Sequence, residues 1–367
     1  MMKPSSLHAP SKFWYLCLFA CIFLFSSAVY AEDFSQRTVV DVSISQEADG
    51  SIQLSWNPVP NAAGYKVYHS PQANPANATD WSLVARVGSP GYNAMASSNH
   101  GFYRVTWYTL PPNAANFALV EGGTINNGTS ELMVSTLHMS RHEVTQLEYQ
   151  SVTGINPSYH PYNYGIGALF PVWNVSWFDA IVYCNLRSLQ EGLTPCFSYA
   201  NYGTNPASWP SDWTSEWGDQ SLLHCNMDAG GYRLPTKVEW EFAARGGNNT
   251  HNYLYSGSNN IDDVGWYWAN WGYVFLAPHT VNGLDPNEIG IYDMSGNLYE
   301  WVWTNPDRNS TSSRIDPQES QLRLGYERYV MGGAWMSPVS DCTVNHGFWT
   351  NAGNGNSGIG FRVCLAP

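Results

Sequence analysis

A serine and a cysteine lie five residues apart in the stretch "GGAWMSPVSDC", and they are the first candidates for chemistry in this sequence. Cys342 could be a reactive thiol, half of a disulfide bond or one ligand of a metal site, because the sulfur of cysteine can serve all three purposes. Ser337 offers a hydroxyl, which is hard and protonated at neutral pH and therefore a poor substitute for a thiolate. All three interpretations of Cys342 remain open at this point.

Three other stretches come close to known catalytic or metal-binding patterns, and each fails at an essential position. "HEVTQ" has Gln146 where the zinc-protease helix needs its second histidine. "GNSGIG" has Ile359 where a serine-nucleophile elbow needs glycine. "DPNEIG" has Ile289 at the fifth position of a calcium loop, where an oxygen ligand is needed. These stretches therefore predict neither a zinc protease, nor a serine hydrolase, nor an EF-hand.

The composition bounds the class of protein. The chain has 367 residues, of which 15% are aromatic and only 12% are charged, and its formal net charge is −13. A chain of this length can form more than one core, and its negative charge would repel phosphate backbones. The composition favours a large aromatic core and argues against nucleic acid as a partner.

The first residues indicate export. Lys3 and Lys12 precede the apolar run "FWYLCLFACIFLF", and the small residues Val29 and Ala31 fit a cleavage site. We therefore expect residues 1–31 to be a signal peptide and the protein to be extracytoplasmic, secreted or periplasmic, and not an integral membrane protein after cleavage. The alternative is an uncleaved anchor, since residues 13–29 are close to the lower length limit for a membrane span.

Five cysteines follow the predicted cleavage site, and an odd number in an oxidising compartment suggests two disulfide bonds and one free thiol. They are Cys184, Cys196, Cys225, Cys342 and Cys364. Cys196 and Cys225 flank a long polar and aromatic insertion that would be hard to order without a covalent link. The sequence predicts a Cys196–Cys225 disulfide.

Residues 33–110 have the pattern of a small antiparallel β-sandwich. "GSIQLSWNPV", "AAGYKVYHS" and "HGFYRVTWY" alternate apolar and polar residues between turn-forming segments. In this order, the L-x-W, Y-x-V-Y and Y-R-V landmarks resemble the fibronectin type III family, whose all-β domains usually act as spacers or adhesive modules. "PPNAAN", at 111–116, is predicted to be a linker.

Three helices are predicted in the remainder of the chain from their start signals. "TQLE", "SWFD" and "TKVE" each fit a capping box, and each apolar segment that follows reaches a glycine. The helices are predicted at 145–153, 176–191 and 236–245. In the second helix, Ile181, Cys184 and Ser188 share one face, so we expect Cys184 to point inward.

Several long phrases occur together in residues 117–367: "RHEVTQLEY", "FPVWNVSWFDAIVYCN", "YRLPTKVEWEFAARGG", "NEIGIYDMSGNLYEWVW", "VMGGAW" and "GIGFRV". In this order they are similar to the formylglycine-generating enzyme, or sulfatase-modifying factor, family. The resemblance implies an α+β fold akin to C-type lectins, with few helices, small sheets and long loops. The predicted architecture is therefore this fold preceded by an all-β fibronectin type III-like sandwich.

The resemblance also implies structural calcium. In "YDMSGNLYEW" the family's calcium ligands fall on the side chains of Asp293 and Glu300 and on the backbone oxygens of Gly296 and Leu298. Oxygen ligands of this kind suit calcium, which is a hard cation. A second family site begins at Asn270 and Trp271, but the loop that should complete it is shortened in this chain.

The family's enzymes oxidise a cysteine to formylglycine with O₂, using copper(I) bound to two cysteines that lie five residues apart. Here those positions are Ser337 and Cys342, and the serine of the family's G-G-S-F is Ala334. Because copper(I) needs soft ligands, the resemblance predicts that copper binding and oxidation are weakened or lost at this catalytic pair. The resemblance also implies a Cys184–Cys364 disulfide, although Cys364 comes one residue late after "GFR".

Two functions remain possible from the sequence. The first is an oxidoreductase of the formylglycine-generating type with an altered active site. The second is a non-catalytic, lectin-like module that binds a protein, peptide or glycan. Since one scaffold can serve many functions, the departure at Ser337 carries more weight for the chemistry than the family resemblance does.

Overall fold

The computed structural model describes residues 38–39, 41–47, 51–60, 62, 64–72, 81–94, 101–108, 114–126, 131–215, 220–270, 277–304 and 326–366. The predicted signal peptide and Trp271 lie outside the described residues. Within this part of the chain, no helix combines the length and the apolar character needed to cross a membrane.

The described part of the first unit contains six short antiparallel strands in two sheets. The strands are β1 Val42–Gln46, β2 Ile52–Trp56, β3 Gly64–Ser70, β4 Ser82–Val87, β5 Tyr92–Ala94 and β6 Phe102–Tyr108. The sheet orders are β1-β2-β5 and β4-β3-β6. Leu54, Trp56, Tyr65, Val67 and Val105 form the core, which confirms that the alternating residues of the sequence mark buried strand faces.

The second unit contains twelve described strands, most of them only two to five residues long. They are β7 Phe117–Val120, β8 Gly123–Asn126, β9 Glu131–Val134, β10 Leu137–Ser140, β11 Phe197–Tyr199, β12 Leu223–Cys225, β13 Tyr232–Arg233, β14 Tyr299–Trp301, β15 Glu327–Met331, β16 Gly347–Asn351, β17 Ile359–Gly360 and β18 Cys364–Leu365. Two four-stranded sheets have the orders β13-β18-β10-β7 and β16-β15-β14-β17, and β8-β9 and β11-β12 are ribbons. Long ordered loops connect them, as the abundance of glycine and asparagine predicts.

The described helices are α1 Gln146–Thr153, α2 Trp177–Gln190, α3 Lys237–Ala244 and the single turn α4 Ile261–Val264. Thr145, Ser176 and Thr236 are the N-caps of the first three, and each forms the predicted capping box. A capping interaction of this kind stabilises a helix by about 1 kcal/mol. The mixture of short helices and strands confirms the predicted α+β class of the second unit.

Helix α2 packs its apolar face into the largest core. Ile181, Cys184 and Ser188 are fully buried, which confirms the predicted inward face. The indole of Trp177 donates a hydrogen bond to the Val302 carbonyl and stacks on Trp303. The aromatic residues of the sequence thus form this core, as their number predicted.

Strand β14 lies between two partners at the centre of its sheet. Glu300 pairs with Met331 of β15 in antiparallel register, and Tyr299 pairs with Ile359 of β17 in parallel register. Consecutive side chains of a strand point to opposite faces. Tyr299 and Glu300 therefore reach two different environments, and both bear on the candidate sites.

Candidate functional site

Ser337 lies in a tight turn that follows β15. Gly332 and Gly333 enter this turn with φ values of 96° and 82°, and a β-carbon on Gly333 would lie 2.6 Å from Cys342 Sγ. Only glycine accepts both the conformation and the close approach. The glycine pair therefore sets the path of the chain from the sheet to Ser337.

The hydroxyl of Ser337 is buried and has two hydrogen-bond partners. It accepts from the backbone N–H of Ala334 at 3.0 Å and donates to the phenol oxygen of Tyr299 at 3.1 Å. Burial raises the pKa of Tyr299 to about 12, against a lowering effect of the Ser337 hydrogen bond. Tyr299 is therefore protonated at neutral pH and cannot act as a general base for the serine.

A longer chain of polar side chains continues from this pair to the surface. The phenol of Tyr299 is 3.5 Å from Asp341 Oδ2, and His346 Nε2 is 3.7 Å from Asp341 Oδ1. In a Ser-His-Asp triad the imidazole is the immediate neighbour of the serine, and the carboxylate lies behind the imidazole. Here tyrosine is the neighbour of Ser337 and histidine is the last member, so the order is not that of a Ser-His-Asp triad.

Cys342 lies in an apolar cluster beside this polar chain. It ends a 3₁₀ turn, is fully buried, and packs with Tyr255, Ile261 and Val264. Burial, with a smaller effect of Asp341, raises the pKa of its thiol to about 12. A buried thiol of this pKa is inert. The structure thus argues against a reactive thiol at Cys342, the first of the three interpretations.

Four exposed apolar side chains surround the buried Ser337, and we call this surface the Ser337 face. Its members are Trp268, Met336, Val339 and Phe348. Trp268 is 56% exposed, and its backbone N–H donates to the Ser337 carbonyl at 3.0 Å. Phe348 packs edge-on against Tyr299, with 4.9 Å between ring centroids. Sequence reasoning missed these residues, although the scarcity of charge in residues 329–363 was an available signal.

On the opposite side of β14, Glu300 is held in a fully buried ion pair. Arg362 donates from Nε to Oε2 and from Nη2 to Oε1, each at 2.6 Å. Trp240 Nε1 donates to the same Oε2 at 2.7 Å. The two-pronged geometry is the strongest form of this interaction, and it joins β14 to the segment between β17 and β18.

Two more buried carboxylates lie close to this pair. Glu143 accepts from the Leu298 backbone N–H at 3.1 Å and from Asn297 Nδ2 at 2.9 Å. Burial, followed by the charges of Asp293 and Glu300, raises the pKa of Glu143 well above its usual range. Burial likewise raises the pKa of Asp293 to about 6. Three carboxylates thus share one nearby guanidinium.

This cluster bears on the calcium that the resemblance implies. With one arginine for three carboxylates, a divalent cation would offset the remaining negative charge, and every donor is an oxygen, as calcium requires. The predicted ligands Asp293 and Glu300 therefore fit calcium by charge and donor type. Their side chains alone form no cage: among the described residues, no group of three or more His, Cys, Asp or Glu side chains is placed to hold a metal ion.

The first residue of the predicted second calcium site has a local role. Asn270 Oδ1 accepts from the Tyr267 backbone N–H at 2.8 Å, and its amide nitrogen donates to the Gly265 carbonyl at 2.9 Å. These bonds close the turn that follows α4. Trp271, the other predicted residue, lies outside the described residues.

Neither predicted disulfide bond is formed, and Cys184, Cys196, Cys225 and Cys364 are all free and buried. Cys225 lies opposite Phe197 in the β11-β12 ribbon, so Cys196 is out of register with it by one residue. Cys364 faces the core formed around Trp240, whereas Cys184 lies in the core formed around α2. The thiols are nevertheless near neighbours, because burial, followed by the proximity of Cys196 and Cys364, raises the pKa of Cys184 well above its usual range.

Comparisons with known proteins place residues 109–367 in one family. The family described as "Sulfatase-modifying factor enzyme 1-like domain" matches residues 109–367, beginning eight residues before the predicted boundary. The "Chaperone protein LppX" of Paenibacillus barcinonensis is 34% identical over 250 residues, which cover 63% of this chain and 82% of that protein.

Two further comparisons concern an enzyme and a solved structure. The formylglycine-generating enzyme of Thermomonospora curvata is 34% identical over 132 residues, and the match covers 30% of this chain and 41% of the enzyme. The chain thus spans less than half of that enzyme's length. The solved structure of "Treponema denticola variable protein 1" has a TM-score of 0.58 and 29% identity, covering 68% of this chain and 95% of that one.

Proposed function

Because the chain belongs to the sulfatase-modifying factor enzyme 1-like family, we propose that it uses the family scaffold for binding rather than for oxidation. The ligand-binding surface is the Ser337 face, and its partner is a polypeptide. The proposal combines a family domain with an altered active site, in which Ser337 stands where the family has its first catalytic cysteine.

The observation that carries this proposal is the state of the Ser337 and Cys342 side chains. The hydroxyl of Ser337 is engaged by Ala334 and Tyr299, and the thiol of Cys342 is protonated in an apolar cluster. Copper(I) needs at least two soft donors to bind tightly, and these two groups do not fit it. No oxidation step follows from this pair.

A polypeptide partner is supported by the relative LppX, whose name describes a chaperone, and chaperones bind other proteins. The exposed side chains of the Ser337 face give the same indication. Aromatic residues and methionine are enriched at protein interfaces, and charged residues are depleted at their centres. Trp268, Met336 and Phe348 match this composition.

Oxidation of a cysteine peptide tests the catalytic alternative. Purified protein loaded with copper(I) is incubated in air with a sulfatase-type C-x-P-x-R peptide, and the peptide is followed by mass spectrometry. We expect no aldehyde product and no stoichiometric copper in the protein. The Ser337→Cys variant is the matched control, and efficient aldehyde formation by the unmodified protein would overturn the proposal.

The remaining sequence-based expectations complete the proposal. Calcium bound by Asp293, Glu300 and the backbone oxygens of Gly296 and Leu298 would stabilise the loops, so a chelator should lower the melting temperature of the wild type. The Asp293→Ala variant should be insensitive to the chelator. An equal melting temperature of the wild type with and without the chelator would argue against calcium.

The first unit is proposed to be a fibronectin type III-like spacer, in an exported protein whose signal peptide is residues 1–31. The two three-stranded sheets, β1-β2-β5 and β4-β3-β6, support this assignment because two packed antiparallel sheets are the architecture of that domain. Expression of residues 33–110 alone should give a folded β domain. Amino-terminal sequencing of the full chain from a secreting host should begin at Glu32.

A further inference from the structure

Gln146, the residue that breaks the zinc-protease pattern, is buried at the start of α1 and makes four hydrogen bonds. Its Nε2 donates to the carbonyls of Gly165 at 2.6 Å and Pro171 at 3.1 Å. Its Oε1 accepts from the Gly167 backbone N–H and from Asn156 Nδ2, both at 3.1 Å. Two donors and two acceptor positions are the full capacity of a carboxamide. One side chain therefore ties together both ends of the segment from Asn156 to Pro171.

Other bonds fix the base of this segment, which we call the tyrosine loop (residues 156–171). The hydroxyl of Ser158 accepts from the Trp173 backbone N–H at 3.0 Å and donates to the Trp173 carbonyl at 3.2 Å. Asn174 Nδ2 donates to the Pro157 carbonyl at 3.1 Å. A loop of this length with little regular structure usually has a function. These bonds hold it in one conformation.

The tyrosine loop presents aromatic rings to solvent. Tyr159 is 72% exposed and Tyr162 is 75% exposed. The rings of His160, Tyr162 and Tyr164 lie with centroids 5.1 to 6.0 Å apart. Rigid tyrosines provide a large contact area at a low cost in conformational entropy, and binding loops of antibodies use them for this reason.

A buried cluster links the tyrosine loop to the turn that carries the Ser337 face. Ile166 packs against this cluster of Trp173, Leu298 and Trp335, and Met336 of that face follows Trp335 in the chain. The backbone N–H of Asn174, beyond the loop, donates to the Asn356 carbonyl at 2.9 Å. The two surfaces are therefore held in a fixed relation.

We propose that the tyrosine loop is the rigid second half of the polypeptide-binding surface, with Gln146 as its positioning residue. The partner segment is an uncharged, apolar and aromatic stretch of polypeptide with basic flanks. This inference rests on the proposed function, because it extends the same surface.

The chemistry of the surface specifies this partner. Residues 155–178 contain no Asp, Glu, Lys or Arg, whereas the whole chain has a formal net charge of −13. An uncharged stretch can lose its water against the loop at little cost, and basic flanks are attracted to the rest of the molecule. Ile155 and Leu169 are 62% and 65% exposed beside the tyrosines. Aliphatic side chains suit apolar peptide side chains better than they suit the hydroxyl groups of a glycan.

Binding of a fluorescent synthetic peptide tests the proposal. The peptide carries an uncharged stretch of Phe, Leu and Tyr between two lysine pairs, and fluorescence anisotropy gives its Kd. Replacing both Tyr159 and Tyr162 by alanine should weaken binding by about tenfold or more, since aromatic anchors dominate such interfaces. The matched control is Tyr202→Ala, which removes another exposed tyrosine, 48% exposed, from the turn at Ala200–Tyr202 and should change Kd less than about twofold.

The positioning role of Gln146 needs a separate measurement. In Gln146→Ala, hydrogen exchange at the Gly167 amide should become faster, because that N–H loses its acceptor, and peptide binding should weaken although both tyrosines remain. Ser188→Ala is the control for general destabilisation, since Ser188 is buried and hydrogen-bonded to Cys184 and Tyr232 away from the loop. It should leave binding unchanged.

The outcomes separate the two proposals. If Trp268→Ala weakens binding and the tyrosine double variant does not, the inference is wrong and the proposed function stands. If the wild type binds a neutral hexasaccharide and not the peptide, or binds neither, the polypeptide partner is wrong and both proposals fall. Gln146→Ala with unchanged Gly167 exchange would contradict the positioning role alone.

Discussion

Two regions meet at strand β14, and they differ in almost every physical respect. On one side, Glu300 enters a buried cluster of carboxylates neutralised in part by Arg362. On the other side, Tyr299 supports the Ser337 face, where apolar side chains are exposed and few groups are charged. Consecutive residues of one strand thus serve a stabilising cluster and a surface.

This difference means that the residues of the buried cluster and those of the Ser337 face can change separately. The cluster depends on exact pairing, because a buried charge without its partner is strongly destabilising. The surface has no such constraint, because solvent accommodates side chains of many kinds. On the proposed function, the residue at position 337 can therefore differ from a thiol while the fold is kept.

Removing Glu300 should have the largest effect on stability. The Glu300→Ala variant removes the two-pronged hydrogen-bonded partner of the buried Arg362 guanidinium, so the free energy of unfolding should fall by about 3–5 kcal/mol in urea titrations. The control is Arg245→Ala, which removes the partly exposed pair with Glu241 and should cost about 0.3–0.5 kcal/mol. Equal losses in the two variants would contradict the special role of the buried cluster.

Acid should destabilise the scaffold through His138. Burial lowers the pKa of this histidine to about 4 in the folded protein, below its usual value near 6.5. As the pH falls, the unfolded state therefore binds the proton before the folded state does. The free energy of unfolding should decrease by roughly 3 kcal/mol between pH 6.5 and pH 4. The His138→Gln variant should lose this part of the pH dependence. The control is the His346→Gln variant, because His346 is one-third exposed beside the Ser337 face. This variant should keep the pH dependence of the wild type.

Ser337→Ala should have an intermediate effect, because Ser337 is the buried part of an otherwise exposed face. The change deprives the Ala334 N–H of its acceptor and the Tyr299 phenol of a donor, at a cost of about 1–3 kcal/mol in chemical unfolding. Ser340→Ala, which removes an exposed hydroxyl bonded to Asp341, should cost about 0.5 kcal/mol or less. A larger loss of stability in Ser340→Ala than in Ser337→Ala would show that the Ser337 hydroxyl does not stabilise the turn.

The smallest effect on stability is expected for Trp268→Ala. This side chain is 56% exposed, so the free energy of unfolding should change by about 0.5 kcal/mol or less, while peptide binding is lost. Trp301→Ala, at a fully buried indole, should instead destabilise by about 3–5 kcal/mol. A large loss of stability in Trp268→Ala would show that the Ser337 face belongs to the core and would break the comparison.

The sequence predicted the local elements best where the signal is itself local. Thr145, Ser176 and Thr236 cap the three predicted helices, and Gly154, Gly192 and Gly246 follow those helices with positive φ. A capping box involves only four residues, so it can be recognised without knowledge of the tertiary fold. The strands of the first unit were predictable for the same reason.

The environment of each site residue was not predictable, because it depends on contacts between distant segments. The burial of Cys342 requires α4, which lies some 80 residues earlier in the chain. The buried cluster that each of Cys184 and Cys364 joins depends on how β18 packs in the folded domain. Gln146 was recognised only as a failed metal ligand, since its four partners become apparent only when the tyrosine loop is folded.

The position of β18 has a consequence for the order in which the protein can fold. This strand lies between β13 and β10, and a hydrogen bond from Arg362 to Ser140 near that junction joins residues 222 positions apart. Contacts between such distant residues make folding slow, because a long loop must close before they form. During synthesis, β10 leaves the ribosome long before the strand that completes its sheet. The domain therefore reaches its native structure only after β18 has emerged, and until then the unpaired edges of β10 and β13 need protection from aggregation.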